Sequence, residues 1–125
     1  MTSPTIPVSW GELLDKIVIL EIKCLRLHAP SARDNAAREL ALLRQSASAV
    51  SGVPELMAAL RAVNTRLWRI EDLIREKEAA GDFGPSFIAL ARAVYHQNDE
   101  RGRIKQALNQ RLGSVLVEEK QYSAY

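Results

Sequence analysis

Apolar residues in this chain recur every three to four positions, and each run is cut off by proline or glycine. That punctuated period dictates helices of bounded length. Ala36, Leu40, Leu43, Ala47 and Val50 form one stripe, and Leu56, Leu60, Val63, Leu67, Ile70 and Ile74 another. Phe87, Leu90, Val94, Arg101, Lys105, Leu108 and Leu112 share a third face if their helix is continuous. The breaks fall at Ala29-Pro30-Ser31, at Ser51-Gly52-Val53-Pro54, and at Gly81-Asp82-Phe83-Gly84 followed by Pro85. Proline cannot continue the helical hydrogen-bond ladder but suits a first turn.

Ser9-Trp10-Gly11-Glu12 reads as a capping box, in which the serine hydroxyl and the glutamate carboxylate satisfy first-turn amides. The first helix is expected to run from there to about His28, the second over about residues 33–50, the third over 54–80 and the fourth from 85 to about 112. Gly113 closes the last, and any bend falls near Asn98-Asp99. Short connections between helices favour antiparallel neighbours. The expected fold is all-α: an antiparallel up-down bundle of about four helices, the last two long. Residues 1–125 are read as one domain, with an N-terminal arm at 1–8 and a C-terminal tail at 114–125 in which Val115, Leu116 and Val117 could dock. The long pair should overhang the short pair, leaving Leu56 and Leu112 without partners in a monomer, so a homodimer is expected.

With 17 basic and 15 acidic residues the net charge is +2, too even to announce nucleic acid or an anionic membrane as a partner. No run approaches the ~18 apolar residues that a membrane span needs. The opening residues lack the basic segment and long apolar stretch of a secretory leader, and the single cysteine, Cys24, cannot form an internal disulfide. A reducing cytoplasm is the expected location.

Phosphate-binding glycine loops, paired metal ligands and nucleophile constellations are all absent, so neither a cofactor nor a metal is expected. Cys24 shares the apolar face with Leu13, Ile17 and Leu20 and reads as core. His28, near the end of helix 1, reads as a capping or packed histidine, and His96 lies far from it in sequence.

The informative oddity is polar. On the wheel of helix 1, Glu12, Asp15, Lys16, Lys23 and Arg26 occupy a solvated arc, whereas Glu21 falls opposite, among Leu14, Ile17, Val18, Cys24 and Leu25. An unpartnered buried carboxylate is costly, so Glu21 must be paired, protonated or facing a wet cavity. On helix 3, Asn64, Trp68, Glu71, Arg75 and Glu78 form a strip beside the leucine stripe, and on helix 4 Asn98, Arg101 and Lys105 lie in line with Val94 and Leu108. With loops centred near 30, 52 and 82, antiparallel hairpins put Glu21 level with Leu40, Leu40 with Asn64, and Asn64 with Arg101. Trp68, Glu71, Asn98 and Lys105 fall within about one turn of that layer.

Three readings of the layer compete: a buried ion-pair network that fixes helix register, in a structural or adaptor domain, a polar ligand pocket, or a solvent-facing groove if the phase of the wheel is wrong. The preferred function is a binding module for a small polar or anionic metabolite. In the pocket reading Arg101 and Lys105 hold a small anionic or sugar-like ligand with Arg75 in support, Asn64 and Asn98 read its hydroxyl or carbonyl groups, and Trp68 stacks on a flat face. An enzyme built on the same pocket would use Glu21 or Glu71 as general acid or base.

Trp10-Gly-Glu-Leu-Leu-Asp-Lys-Ile17, Leu20-Glu-Ile-Lys23, Asn64-x-x-Leu-Trp-x-Ile-Glu-Asp72, Ile74-Arg-x-Lys-Glu78, Leu90-Ala-Arg-x-Val-Tyr95, Asn98-Asp-x-Arg101, Ile104-Lys105 and Glu118-Glu-Lys-x-Tyr122 together resemble a bacterial family of short helical domains with no assigned function. The resemblance covers nearly the whole chain and implies a helical domain without selecting an activity. A fainter likeness, Asn35-x-x-Arg38-Glu39, is to the helical chorismate mutases. Asn stands there where those proteins have Asp, and Arg38 points away from the Glu21 face, so that activity is not assigned.

Overall fold

The computed structural model describes residues 2–125. Four helices follow one another: α1 (Trp10–Arg26), α2 (Pro30–Ser46), α3 (Pro54–Ala80) and α4 (Pro85–Arg111). Each of the last three begins on a proline, whose fixed φ suits a first turn. Helix 1 ends two residues before His28, and α2 begins at Pro30 rather than near Arg33 and ends at Ser46. His28 is exposed in the connection and neither caps nor packs. Helix α4 is unbroken through Asn98-Asp99.

Glycine closes both long helices where the backbone turns left-handed. Gly81 has φ 65°, and the Asp82 amide bonds the Lys77 carbonyl at 2.9 Å. Gly113 has φ 64°, and the Ser114 amide bonds the Asn109 carbonyl at 2.8 Å.

α1 is the hub. It packs against α2, α3 and α4, while α3 and α4 form a long hairpin and α2 packs on α1 alone. The core gathers Leu14, Ile17, Val18 and Leu20 of α1 with Ala36 and Leu40 of α2, Leu60, Val63 and Leu67 of α3, and Ile104 and Leu108 of α4. Cys24 is partly buried against it.

Helices α1 and α2 have 17 residues each, and α3 and α4 have 27 each. At 1.5 Å per residue that is ~26 Å against ~40 Å. The overhang expected from the sequence is present, at a different place. Leu56 and Leu112 pack against the core and do have partners. The uncovered part is the far end of the hairpin, where no residue from Trp68 through Arg103 is buried. α1 reaches along the base of the hairpin only, since Gly11, Glu12 and Asp15 meet Asn109, Lys105 and Arg101 in turn.

Candidate functional site: a closed polar layer around Asp15

The first turn of α1 carries the amides that no helix can satisfy internally. Ser9 Oγ accepts from the Glu12 amide at 3.2 Å, which is half of the expected capping box. The other half is different, because the Glu12 carboxylate bonds Lys105 Nζ at 2.8 Å instead of turning back to the cap. The remaining first-turn amides are satisfied across the chain. Gly11 N donates to Asn109 Oδ1 at 2.6 Å, and Trp10 N donates to Ser114 Oγ at 3.2 Å. Gly11 is what allows this approach: a Cβ there would stand 2.6 Å from the Lys105 carbonyl oxygen.

One turn further along the same edge lies Asp15, only 1% exposed. Its Oδ1 accepts from Asn64 Nδ2 at 2.8 Å and from Arg101 Nε at 3.0 Å. Its Oδ2 accepts from Arg101 Nη2, so the guanidinium grips the carboxylate with two nitrogens, and Lys105 Nζ stands 3.9 Å away. Bidentate pairing of this kind is among the stronger polar contacts available to a protein. Lys105 is itself buried, and its ammonium also meets Glu118 of the C-terminal tail at 3.0 Å. No buried side-chain nitrogen or oxygen among the described residues lacks a hydrogen-bond partner.

The electrostatics follow from these contacts. Burial alone would lower the Lys105 pKa, but the Glu12 and Glu118 carboxylates outweigh it and hold the ammonium above its ordinary value. The hydrogen bonds of Asp15 raise Arg101 likewise, and Lys105 holds the Glu118 carboxyl below its ordinary value. Arg101, Lys105 and Glu118 are each stabilised in the charged form.

The residues expected to form the site are only partly brought together. Asn64, Arg101 and Lys105 meet, but they meet around Asp15, which the wheel had placed in the solvated arc. The reason is that three helices surround α1. The buried arc is wider than a single stripe and takes in the line Gly11, Asp15, Val18 and Ile22, leaving Glu12, Lys16 and Arg26 outside.

Glu21 does not join the layer. It bonds Arg44 Nη2 at 3.4 Å and Arg61 Nε at 3.1 Å, at the mouth of the gap between α2 and α3. Trp68 is half-buried against the core. Glu71 and Arg75 are exposed and pair with each other at 3.5 Å, one turn apart beyond the end of α1's cover. Asn98 is partly exposed and lines a cavity of about 330 Å³ between α4 and the tail, together with Lys105, Glu118 and Tyr122.

Sequence reasoning also missed Glu12, Asn109 and Glu118. The tail docks through Glu118 and through Tyr125, which packs against Tyr95 and His96 at 4.9 Å and bonds Asp99 through its hydroxyl. Val115, Leu116 and Val117, the expected docking residues, are exposed. A buried cation attracts an acidic side chain more effectively than a filled core attracts a valine. One available signal was that Glu12, Asp15, Asn64, Arg101, Lys105 and Glu118 all lie within the motifs that carried the resemblance.

Fold and layer together define an all-helical domain whose buried polar side chains are tied to one another. The chain belongs to the family of unknown function DUF6165, whose model matches residues 5–125. No curated protein and no solved structure matches it. No helix is long and apolar enough to cross a membrane, and no group of three His, Cys, Asp or Glu among the described residues could hold a metal ion.

Proposed function

We propose that this chain is a structural or adaptor domain that assembles through its hairpin, rather than a receptor for an anion at the Asp15 layer. A pocket for an anion needs a cation with unspent donors. Here Arg101 and Lys105 face Glu12, Asp15 and Glu118, so three carboxylates surround two cations. Such a closed network fixes register, which is the best-attested use of buried ionic groups.

The observation that carries the proposal is the uncovered hairpin. A pair of helices cannot bury both inner faces alone, and Ile70, Leu73, Ile74, Phe87, Leu90 and Val94 are each left partly exposed, none of them fully buried. Phe83 and Ile88 are more than half exposed at the tip. The charges of α3 point to a second copy as the cover. Arg61, Arg66 and Arg69 outnumber Glu55 toward the base, while Glu71, Asp72, Glu76 and Glu78, with Asp82 just beyond the helix, outnumber Arg75 and Lys77 toward the tip. Two hairpins laid antiparallel set the acidic tip of each on the basic base of the other, whereas tip-to-tip docking would oppose like charges.

Sedimentation equilibrium tests the proposal. The parent chain is expected to be a dimer at tens of micromolar, and Phe83→Asp/Ile88→Asp a folded monomer. A monomeric parent under those conditions counts against assembly.

A further inference from the structure

The C-terminal tail is a second feature, independent of the assembly proposal. It folds back along α4 and is held at two places. Glu118 meets Lys105 Nζ at 3.0 Å. Tyr125 sets its ring edge-on to Tyr95 and His96, at 4.9 Å from each, and its hydroxyl donates to Asp99. Between and around these anchors the tail is loose. Every residue from Val115 to Tyr125 is exposed, and beyond Ser114 no tail backbone group bonds to another backbone group among the described residues. A segment held by a few side chains on a solvated backbone lies at the low end of local stability.

The surface beneath is built into the helices. Lys105 is 6% exposed, and of the three carboxylates around it, Glu12, Asp15 and Glu118, only Glu118 comes from outside the helices. Asn98, Gly102 and Gln106 lie along α4 between the two anchors and line the cavity of about 330 Å³ under the tail. That cavity has a geometric cause. Lys105 stands six residues from Asp99 and ten from Tyr95 on one helix, a span of ~9–15 Å. Glu118 and Tyr125 are seven residues apart in a segment that can extend to ~24 Å. The tail has more chain than the distance needs, so it arches away from α4 and leaves the space below it unfilled.

We infer that this face of α4 docks an acidic–aromatic peptide segment of a partner protein, and that the tail is a strap that occupies the site in its absence. The chemistry of the occupant is that of the strap: a carboxylate for Lys105, and an aromatic ring with a hydroxyl for Tyr95, His96 and Asp99. A segment with its acid and its ring four residues apart reaches ~14 Å when extended, which matches the span on the helix without an arch. It would lie flat over Gly102 and fill the cavity. The strap competes as a tethered ligand, at high effective concentration, and so holds off segments that fit no better than itself.

Fluorescence anisotropy tests this, with a labelled peptide of residues 114–125 as the probe. It is expected to bind the full chain carrying Glu118→Gln/Tyr125→Ala, whose own tail has lost both anchors, at least tenfold more tightly than it binds the parent chain. The same two substitutions placed in the peptide should weaken its binding to that variant at least tenfold. A peptide that lacks residues 121–123, and so has its anchors four residues apart, should bind several-fold more tightly than the full-length probe. Circular dichroism checks that the variant is folded. No binding to the variant, equal binding to parent and variant, or a shortened peptide that binds no better overturns the inference. Exchange of tails between two copies would instead show as a dimer of the Phe83→Asp/Ile88→Asp chain that Glu118→Gln/Tyr125→Ala dissociates, and it would overturn the assignment to a separate partner. The peptide titrations do not depend on hairpin assembly, so the failure of either idea reads out separately.

Discussion

Asp15 shows how one side chain can tie three elements together. It sits on α1, takes a hydrogen bond from Asn64 of α3 and is gripped by Arg101 of α4. Arg101→Met leaves a carboxylate that is 1% exposed with one amide donor and an ammonium 3.9 Å away. Removing one partner of a buried pair costs about 3–5 kcal/mol. Asp15→Leu/Arg101→Met removes both charges and should recover part of that loss, less the cost of leaving the buried Asn64 amide without its acceptor, so a double-mutant cycle in urea will show coupling between the two positions. Independent, additive losses would mean that the two side chains do not act as a pair. Gly11 has a similarly local role. Gly11→Ala drives a methyl against the Lys105 carbonyl, which belongs to helical backbone and cannot swing aside. A loss of ~1–3 kcal/mol is expected by analogy with overpacked cores, read as a lower melting temperature. An unchanged midpoint would mean that α1 and α4 do not approach so closely.

At the scale of elements, the tail is held differently from the helices. Its contacts are the Glu118–Lys105 pair and the Tyr125 cluster, on an otherwise exposed segment. Lys105 holds Glu118 below its ordinary value of about 4.5, so the pair contributes fully above that pH and loses its contribution as pH falls through the depressed value. Lys105 is raised, so its own contribution is complete below its ordinary value of about 10.5 and fades as pH rises through the higher, folded one. Cleavage by trypsin after Lys120 should therefore be slow near neutral pH in the parent and faster in Glu118→Gln. A tail cleaved equally fast in the parent and in Glu118→Gln would show that this pair does not hold it.

The two long helices were legible in the sequence because proline and glycine mark their ends, whereas α2, which no glycine closes, was expected three to four residues late at each end. Pro30, Pro54 and Pro85 are each a first helical residue, and Gly81 and Gly113 follow the last turns. The lateral packing was much less legible. The level calculation assumed helices turning back squarely at their loops, and it put Glu21 beside Asn64 and Arg101. The residue found there is Asp15, six positions earlier, a shift of ~9 Å along the helix. That shift arises because α1 is seated by Gly11 against Asn109, a contact between sequence positions 98 residues apart that no local pattern reports. The wheel of α1 failed for a related reason. It assumes one buried side, whereas three helices surround this one.

The molecule as a whole divides into a fixed base and a less covered arm. The base is held by the Asp15 layer and the core around α1, and the arm is the hairpin beyond Trp68, which we propose a second copy covers. Sedimentation reports whether copies associate, but hydrogen exchange reports where. The most direct test follows amide exchange across the chain in the parent and in Phe83→Asp/Ile88→Asp, each at about 50 micromolar and again after hundredfold dilution. Amides of residues 68–97 are expected to exchange more slowly in the concentrated parent than in the variant, while those of residues 11–22 and 104–109 are alike in both. Exchange over residues 68–97 that is the same in parent and variant at both concentrations, with the hairpin amides as open as a lone helix pair, would contradict assembly through the hairpin.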